Sequence, residues 1–321
     1  MRLVTFRSGQ ETTDRVGALI DDDQILEFTD GSGQALYPSL LALIQAGAPA
    51  WDAAREALAA KRGRLHARSA TALRAPLPLP PQYRDAMVFH KHILQSGRAM
   101  SAMRAKQLGT PEALAEAEAA AKATEVPEIY KLQPFYYKGN RFAVGHPDQD
   151  IVWPAYSQVI DFELELACVI GKGGKDIARE DAFEHVFGFM ILNDLSARDA
   201  QAPEMLARLG PAKGKDFDNA NVFGPCLVTL DEIGDPYDLR MTARINGEQW
   251  TEGWSGDMGF NFHDLIAHIS RGETLHPGEI IGSGTVGDGC GLEHMRFLKE
   301  GDVIELEIEK IGILRNRIIR S

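Results

Sequence analysis

Short apolar runs broken by glycine and proline turns dominate this chain, and helical spacing is confined to a few segments. Met1–Arg7 and Val16–Ile20 alternate apolar and polar positions, which predicts strands; the acidic turn Asp21–Asp23 separates the second from another at Ile25–Phe28. Ser39–Gln45 and Trp51–Ala60 read as helices. Met87–Phe89 opens a new element that leads into a stretch rich in Ala, Met and charge. Within it, Thr110-Pro111-Glu112 supplies a capping hydroxyl, a proline at the first helical position and a first-turn acid, which predicts a helix start. The LAEAEAAAKA that follows has high helix propensity and little amphipathicity. From Phe135 onward the pattern turns to β, with runs at Ile151–Trp153, Val159–Ile170, Phe187–Leu192, Val222–Leu230, Leu239–Ile245, Glu279–Gly282 and Val303–Ile319. Many short strands with few helices predict an α+β, mainly β fold with a curled, mostly antiparallel core.

Four prolines in Ala75-Pro-Leu-Pro-Leu-Pro-Pro81 can continue neither a helix nor a central strand. They divide the chain into a small β-rich N-terminal domain (1–75), a Pro-rich linker (76–81) and a main domain (82–321). The segment 97–125 is expected to be either an exposed helix or a helical flap beside a site. The 321 residues carry 34 Lys+Arg against 46 Asp+Glu, a net charge of −12, which disfavours a nucleic-acid binder because that role needs a basic face. No apolar stretch approaches 18 residues, so no membrane span is expected, and the N-terminus lacks the pattern of a signal peptide. Cys168, Cys226 and Cys290 stand far apart, which fits neither a disulfide framework nor a zinc spacing and predicts a reducing, cytoplasmic setting.

The most informative segment is Val159–Ile170, sequence VIDFELELACVI. Strand alternation puts Ile160, Phe162, Leu164, Leu166, Cys168 and Ile170 on one face and Asp161, Glu163 and Glu165 on the other. Carboxylates roughly 6–7 Å apart along a strand repel one another, and burial adds a desolvation cost. A hard divalent cation relieves both, whereas a solvated acidic face needs none. Val303–Ile311 offers a comparison, with Glu305, Glu307 and Glu309 on one face. Lys310, Arg315 and Arg317 stand nearby, on what reads as a hairpin partner around Gly312, so cross-strand ion pairs account for that run. The first run has no Lys or Arg between Arg141 and Lys172, which favours a metal there. A further acid, Asp194, closes the apolar strand Phe187–Leu192 and reads either as a ligand or as a helix cap. The helix expected next carries Arg198 and Gln201 on one side.

These segments together resemble the fumarylacetoacetate hydrolase superfamily. DFELELACVIGKGGKDI and GFMILNDLSARDAQ carry the likeness first. GKDFDNANVFGPCLV (214–228), RINGEQWTEGWSGDMGFNFHDLIAHISRGETLHPGEIIGSGTVGDG (244–289) and FLKEGDVIELEIEKIGILRNRI (297–318) follow in order, so the resemblance spans about residues 80–321. It implies a mixed β-roll main domain, a homodimer, and a Mg²⁺, Mn²⁺ or Ca²⁺ site holding a 2-oxo or β-diketo acid. By motif, Glu163, Glu165 and Asp194 fall on the metal ligands, and Asp85, seven residues before His92, on a fourth. His92 falls on the general base, with His90 a neighbouring rival. The glutamate that acylpyruvase-like relatives place three residues after the histidine is Gln95 here, so Glu293 is the alternative partner. The resemblance gives Lys215 an oxyanion or enolate to stabilise, and assigns Arg198, Gln201, Thr285 and Tyr137 to the substrate. The glycine run Gly282–Gly287 lacks the lysine of a phosphate-binding P-loop. The implied activity is hydrolysis of a carbon–carbon bond in a β-diketo acid by His-activated water. Decarboxylation, isomerisation or hydration/dehydration of a 2-oxo acid through an enolate in the same pocket is the alternative.

Overall fold

The computed structural model describes residues 1–207 and 209–320. Its main sheet runs in the order Arg64–Ala67, Gln24–Glu27, Arg15–Leu19, Arg2–Ser8, Asn221–Thr229, Val186–Asp194, Leu164–Ile170, Ile280–Gly282, Tyr83–Ala86 and Tyr136–Lys138. Neighbours on this path are antiparallel except Ile280–Gly282 and Tyr83–Ala86, which pair in parallel. A second sheet runs Glu248–Trp254, Arg240–Ile245, Val303–Ile308, Gly312–Ile319 and Asp150–Val152. The fold is thus the expected mixed, sheet-dominated α+β type.

Both faces of the main sheet are covered, which is why its central strands read as nearly unbroken apolar runs. From Leu164–Ile170, the side chains of Leu164, Leu166, Cys168 and Ile170 enter one core with Phe189 and Ile191. Ala167 and Val169 enter the other with Phe187, Met190 and Leu43, against which Trp51 packs. The N-terminal 75 residues extend this sheet, because Arg2–Ser8 pairs antiparallel with Asn221–Thr229. Residues 75–81 contain neither helix nor strand; Ala75 and Leu77 are buried, and Thr5 Oγ1 donates to the Pro76 carbonyl at 2.8 Å.

Three expectations change. The run Val159–Ile170 is two strands, Ile160–Asp161 and Leu164–Ile170. Side-chain oxygens take the ladder's place between them: Asp161 Oδ1 accepts from Phe162 N (3.0 Å) and Asn193 Oδ1 from Glu163 N (3.2 Å). The segment 97–125 is not one helix but parts of two: a helix ahead of the one expected from Thr110 begins at His90 and runs to Leu108, so His92 lies in its first turn. A left-handed Gly109 (φ +62°) ends it, and Thr110 caps a second helix, Pro111–Lys122, by accepting from Ala113 N at 3.2 Å. In the late hairpin, Arg315 stands opposite Glu305 as expected, but Glu307 pairs with Arg244 of the strand on its other side at 2.8 Å.

Candidate active site

Strand register gathers the acids. Gly282 stands opposite Ala167 in one neighbour and opposite Asp85 in the other, while Leu164 stands opposite Asn193. Asp85, Glu165 and Asp194 therefore project at one end of four adjacent strands. One carboxylate oxygen from each lies within 4.8 Å of the others, and all three residues are buried. The glycine run makes the room: a Cβ at Gly282 would collide with Asp85 Oδ1 and stand 3.0 Å from Glu165 Oε2. Gly284, at φ +78°, turns its N–H onto Glu165 Oε2 at 3.1 Å, and Thr285 Oγ1 faces Glu165 Oε1 at 3.5 Å. Tyr137 donates its hydroxyl to Asp194 Oδ2 at 2.8 Å.

The carboxylates of the first acidic run are not a solvated face. Asp161 and Glu165 are 0% exposed and Glu163 is 5% exposed. They part company in space. Asp161 turns away to Arg198, whose Nε donates to Oδ2 at 2.9 Å, and to the backbone N–H groups of Gly291 and Leu292. Glu163 faces two cations, with Arg198 Nη2 at 2.8 Å and Lys215 Nζ at 2.5 Å. The same Lys215 donates to Asp194 Oδ2 at 2.6 Å. Arg198 also donates to Gln201 Oε1 at 3.0 Å.

Five buried carboxylates (Asp85, Asp161, Glu163, Glu165 and Asp194) thus face two buried fixed cations, Arg198 and Lys215. The imbalance shows in their protonation. Burial, with Asp194 nearby, pushes the Asp85 carboxyl up to about 8. Burial and the Asp85 carboxylate raise Glu165 well above the usual range, and burial also raises Asp194. Burial works against ionisation of Glu163 too, but Lys215, Arg198 and His92 outweigh it and hold Glu163 low. Asp85 Oδ1 and Asp194 Oδ1 are buried without a hydrogen-bond partner. Orphaned, mutually repelling hard oxygens of this kind fit a divalent cation. Asp85, Glu165 and Asp194 form the set that fits, with Glu163 beside them.

His92 stands across the cavity. Its Nδ1 is 3.0 Å from Glu293 Oε1. Glu293 is itself fixed by the N–H groups of Asp288 (3.2 Å) and Cys290 (3.0 Å), and its side chain is fully buried. Gln95 makes no hydrogen bond to the histidine; it donates to Asp288 Oδ1 at 2.6 Å and so braces the loop that holds Glu293. His90 lies outside the cavity and packs edge-on against Phe260. The cavity measures about 780 Å³ and is lined by Asp85, His92, Tyr137, Glu163, Glu165, Arg198, Gln201, Lys215 and Thr285 among others. Sequence reading missed two features. The Asp161–Arg198 pair takes one acid of the run out of the cluster, and apolar side chains of the helix at 198–206 complete a cavity wall to which residues 97–108, from the segment expected as an exposed helix or a flap, also contribute. The unbalanced charge of Asp161 was visible in the sequence, but its partner 37 residues away was not.

A family model described as fumarylacetoacetate (FAA) hydrolase C-terminal matches residues 104–319. The chain belongs to the fumarylacetoacetate hydrolase family. It is 40% identical over 190 residues to the mitochondrial oxaloacetate tautomerase FAHD2A of Homo sapiens, a match spanning 58% of this chain and 59% of that protein. The matched part of the chain is thus well under two thirds of the length of that curated relative. A longer match, 30% identical over 321 residues, joins it to the mitochondrial oxaloacetate tautomerase fahd2 of Xenopus laevis, covering 99% of this chain and 90% of that one. Among solved structures, the fumarylacetoacetate hydrolase of Exiguobacterium antarcticum superposes with a TM-score of 0.71 at 28% identity, covering 99% of this chain and 100% of its own. No helix of the described residues is long and apolar enough to cross a membrane.

Proposed function

We propose that the chain moves a proton at the enolisable carbon of a 2-oxo acid, the keto–enol chemistry for which its human and frog relatives are named. The observation that carries this reading is the pairing of His92 Nδ1 with a buried carboxylate at 3.0 Å, on the wall of a cavity whose floor holds the acid cluster. Glu293 fixes the ring with Nδ1–H on the carboxylate, which leaves Nε2 to carry a proton between the substrate oxygen and the enolisable carbon. Arg198 occupies Gln201 Oε1, so the Gln201 amide nitrogen is left for a substrate oxygen. Lys215 holds Glu163 and Asp194 in place on the cavity wall. Asp85, Glu165 and Asp194, with Glu163 adjacent, would hold a Mg²⁺ or Mn²⁺ ion, which when bound polarises carbonyl oxygens as a Lewis acid.

A second reading is hydrolysis of a carbon–carbon bond in a β-diketo acid, with His92 taking its proton from water instead. The full-length likeness to the Exiguobacterium hydrolase favours it. The two differ in products. Oxaloacetate and acylpyruvates are followed by loss of enol absorbance, with and without chelator, while proton NMR records what forms. Tautomerisation gives the keto isomer alone, whereas hydrolysis gives two acids. Uncatalysed rates on both substrate types, with Mg²⁺ or Mn²⁺ supplied, would defeat both readings.

A further inference from the structure

The cavity has two chemically different ends. The charged groups at one end are buried. The other end is walled by Met100, Leu108, Ile129, Tyr130, Met205 and Leu206, contributed by three separate helices. Four of these stand half-exposed at the mouth: Leu108 at 50%, Ile129 at 50%, Met205 at 43% and Leu206 at 55%. Apolar side chains from three elements that converge on one opening are uncommon as a solvated surface and suit an apolar guest. Among the described lining residues, Arg104 is the one cation at this end, and it is committed to Glu116 of the next helix at 2.6 Å. Among the described lining residues, a second substrate carboxylate therefore meets at this end only an arginine already paired through Nη1. At about 780 Å³ the cavity is of the size that takes a drug-sized ligand, far more than a four-carbon acid fills.

From this we infer that the outer half of the cavity is a binding subsite for an extended alkyl or aryl substituent, and that the chain's substrate is a 2-oxo acid bearing such an apolar tail rather than a second carboxylate. The inference rests on the proposed 2-oxo acid chemistry for the inner half. The head group sits with His92, Gln201 and the acid cluster, and the tail runs along Met100 toward Leu206 and Ile129. Desolvating the tail against these side chains supplies the discrimination, at up to about fourfold per buried methylene.

The test uses the Mg²⁺-supplied full chain with acetylpyruvate, butyrylpyruvate and hexanoylpyruvate, with succinylpyruvate as a dicarboxylate of similar reach. kcat/KM comes from loss of enol absorbance and affinity from calorimetry. The expected result is a rise in kcat/KM of at least tenfold from acetyl to hexanoyl, with succinylpyruvate well below hexanoylpyruvate. Leu206→Gln and Ile129→Gln, at half-exposed positions that do not threaten folding, should pull the hexanoyl-to-acetyl ratio toward one. A flat series, or a preference for succinylpyruvate, overturns the subsite while leaving the inner-half chemistry standing. Affinity that climbs with tail length without turnover of any member supports the subsite and removes the chemistry. Neither turnover nor length-dependent affinity overturns the subsite as well.

Discussion

The His92–Glu293 pair can be tested by removing the carboxylate charge while keeping the side chain's size. Glu293→Gln still offers Oε1 to His92 Nδ1–H and to Asp288 N–H, and gives up the Oε2 contact with Cys290 N–H. What goes is the negative charge beside the imidazolium that forms when His92 takes a proton. The heavy atoms are 3.0 Å apart, and neither side chain is more than 6% exposed. With charge centres about 4 Å apart and an effective dielectric near 20, the interaction is about 4 kcal/mol. If most of that is expressed in the transition state, kcat/KM should fall by about 10²- to 10³-fold. The assay is enol loss across the pH range, alongside His92→Asn and the double variant. Two residues acting as one unit predict a double variant little worse than His92→Asn alone. A Glu293→Gln protein within twofold of the parent would refute the pairing as the source of the proton transfer.

Three further predictions concern the acid cluster and the scaffold. Glu165→Gln should abolish both turnover and the thermal stabilisation that Mg²⁺ or Mn²⁺ confers on the parent; differential scanning fluorimetry with a metal titration checks it, and an unchanged shift removes Glu165 from the metal set. Lys215→Met strands the Glu163 and Asp194 carboxylates, at 7% and 0% side-chain exposure, without the ammonium they share, and should cost roughly 3–5 kcal/mol in urea unfolding. A loss below about 1 kcal/mol would mean the lysine is not the structural counter-ion the geometry indicates. Burial, helped by Arg74, lowers His146 from 6.5 to about 4, in keeping with its Nδ1 accepting from Ala75 N at 3.1 Å. Because the folded state holds the ring neutral, the unfolded state binds the extra proton first. The contribution is present above about pH 6.5 and is lost as pH falls toward 4. His146→Gln should flatten the urea midpoint across that window, and an equally steep decline would contradict it.

Local pattern carried much of this protein. Alternation and turn residues located the strands Arg2–Ser8, Arg15–Leu19 and Val186–Asp194, and Thr110-Pro111-Glu112 marked a helix start within one residue. Such signals work because backbone dihedrals, caps and side-chain period are properties of neighbouring residues. The same logic put Asp161, Glu163 and Glu165 on one side of one segment and singled out Asp194 at the end of the next, and the motif-level resemblance added Asp85, His92 and Glu293 by number.

What alternation could not decide was which acid meets which cation. Asp161 and Glu165 share a face by period, yet a break at Phe162–Glu163 sends Asp161 to Arg198 and leaves Glu165 with Asp85 and Asp194. The absence of Lys and Arg between 141 and 172 was a true local fact, but the counter-charges arrive from positions 198 and 215. Electrostatic energy depends on distance through space in a medium that excludes water, and both are created only when the strands pair and the sheet closes. Chain order therefore determined the chemical inventory of the site, and tertiary packing alone decided its partners, its dryness and the apolar mouth through which a substrate enters.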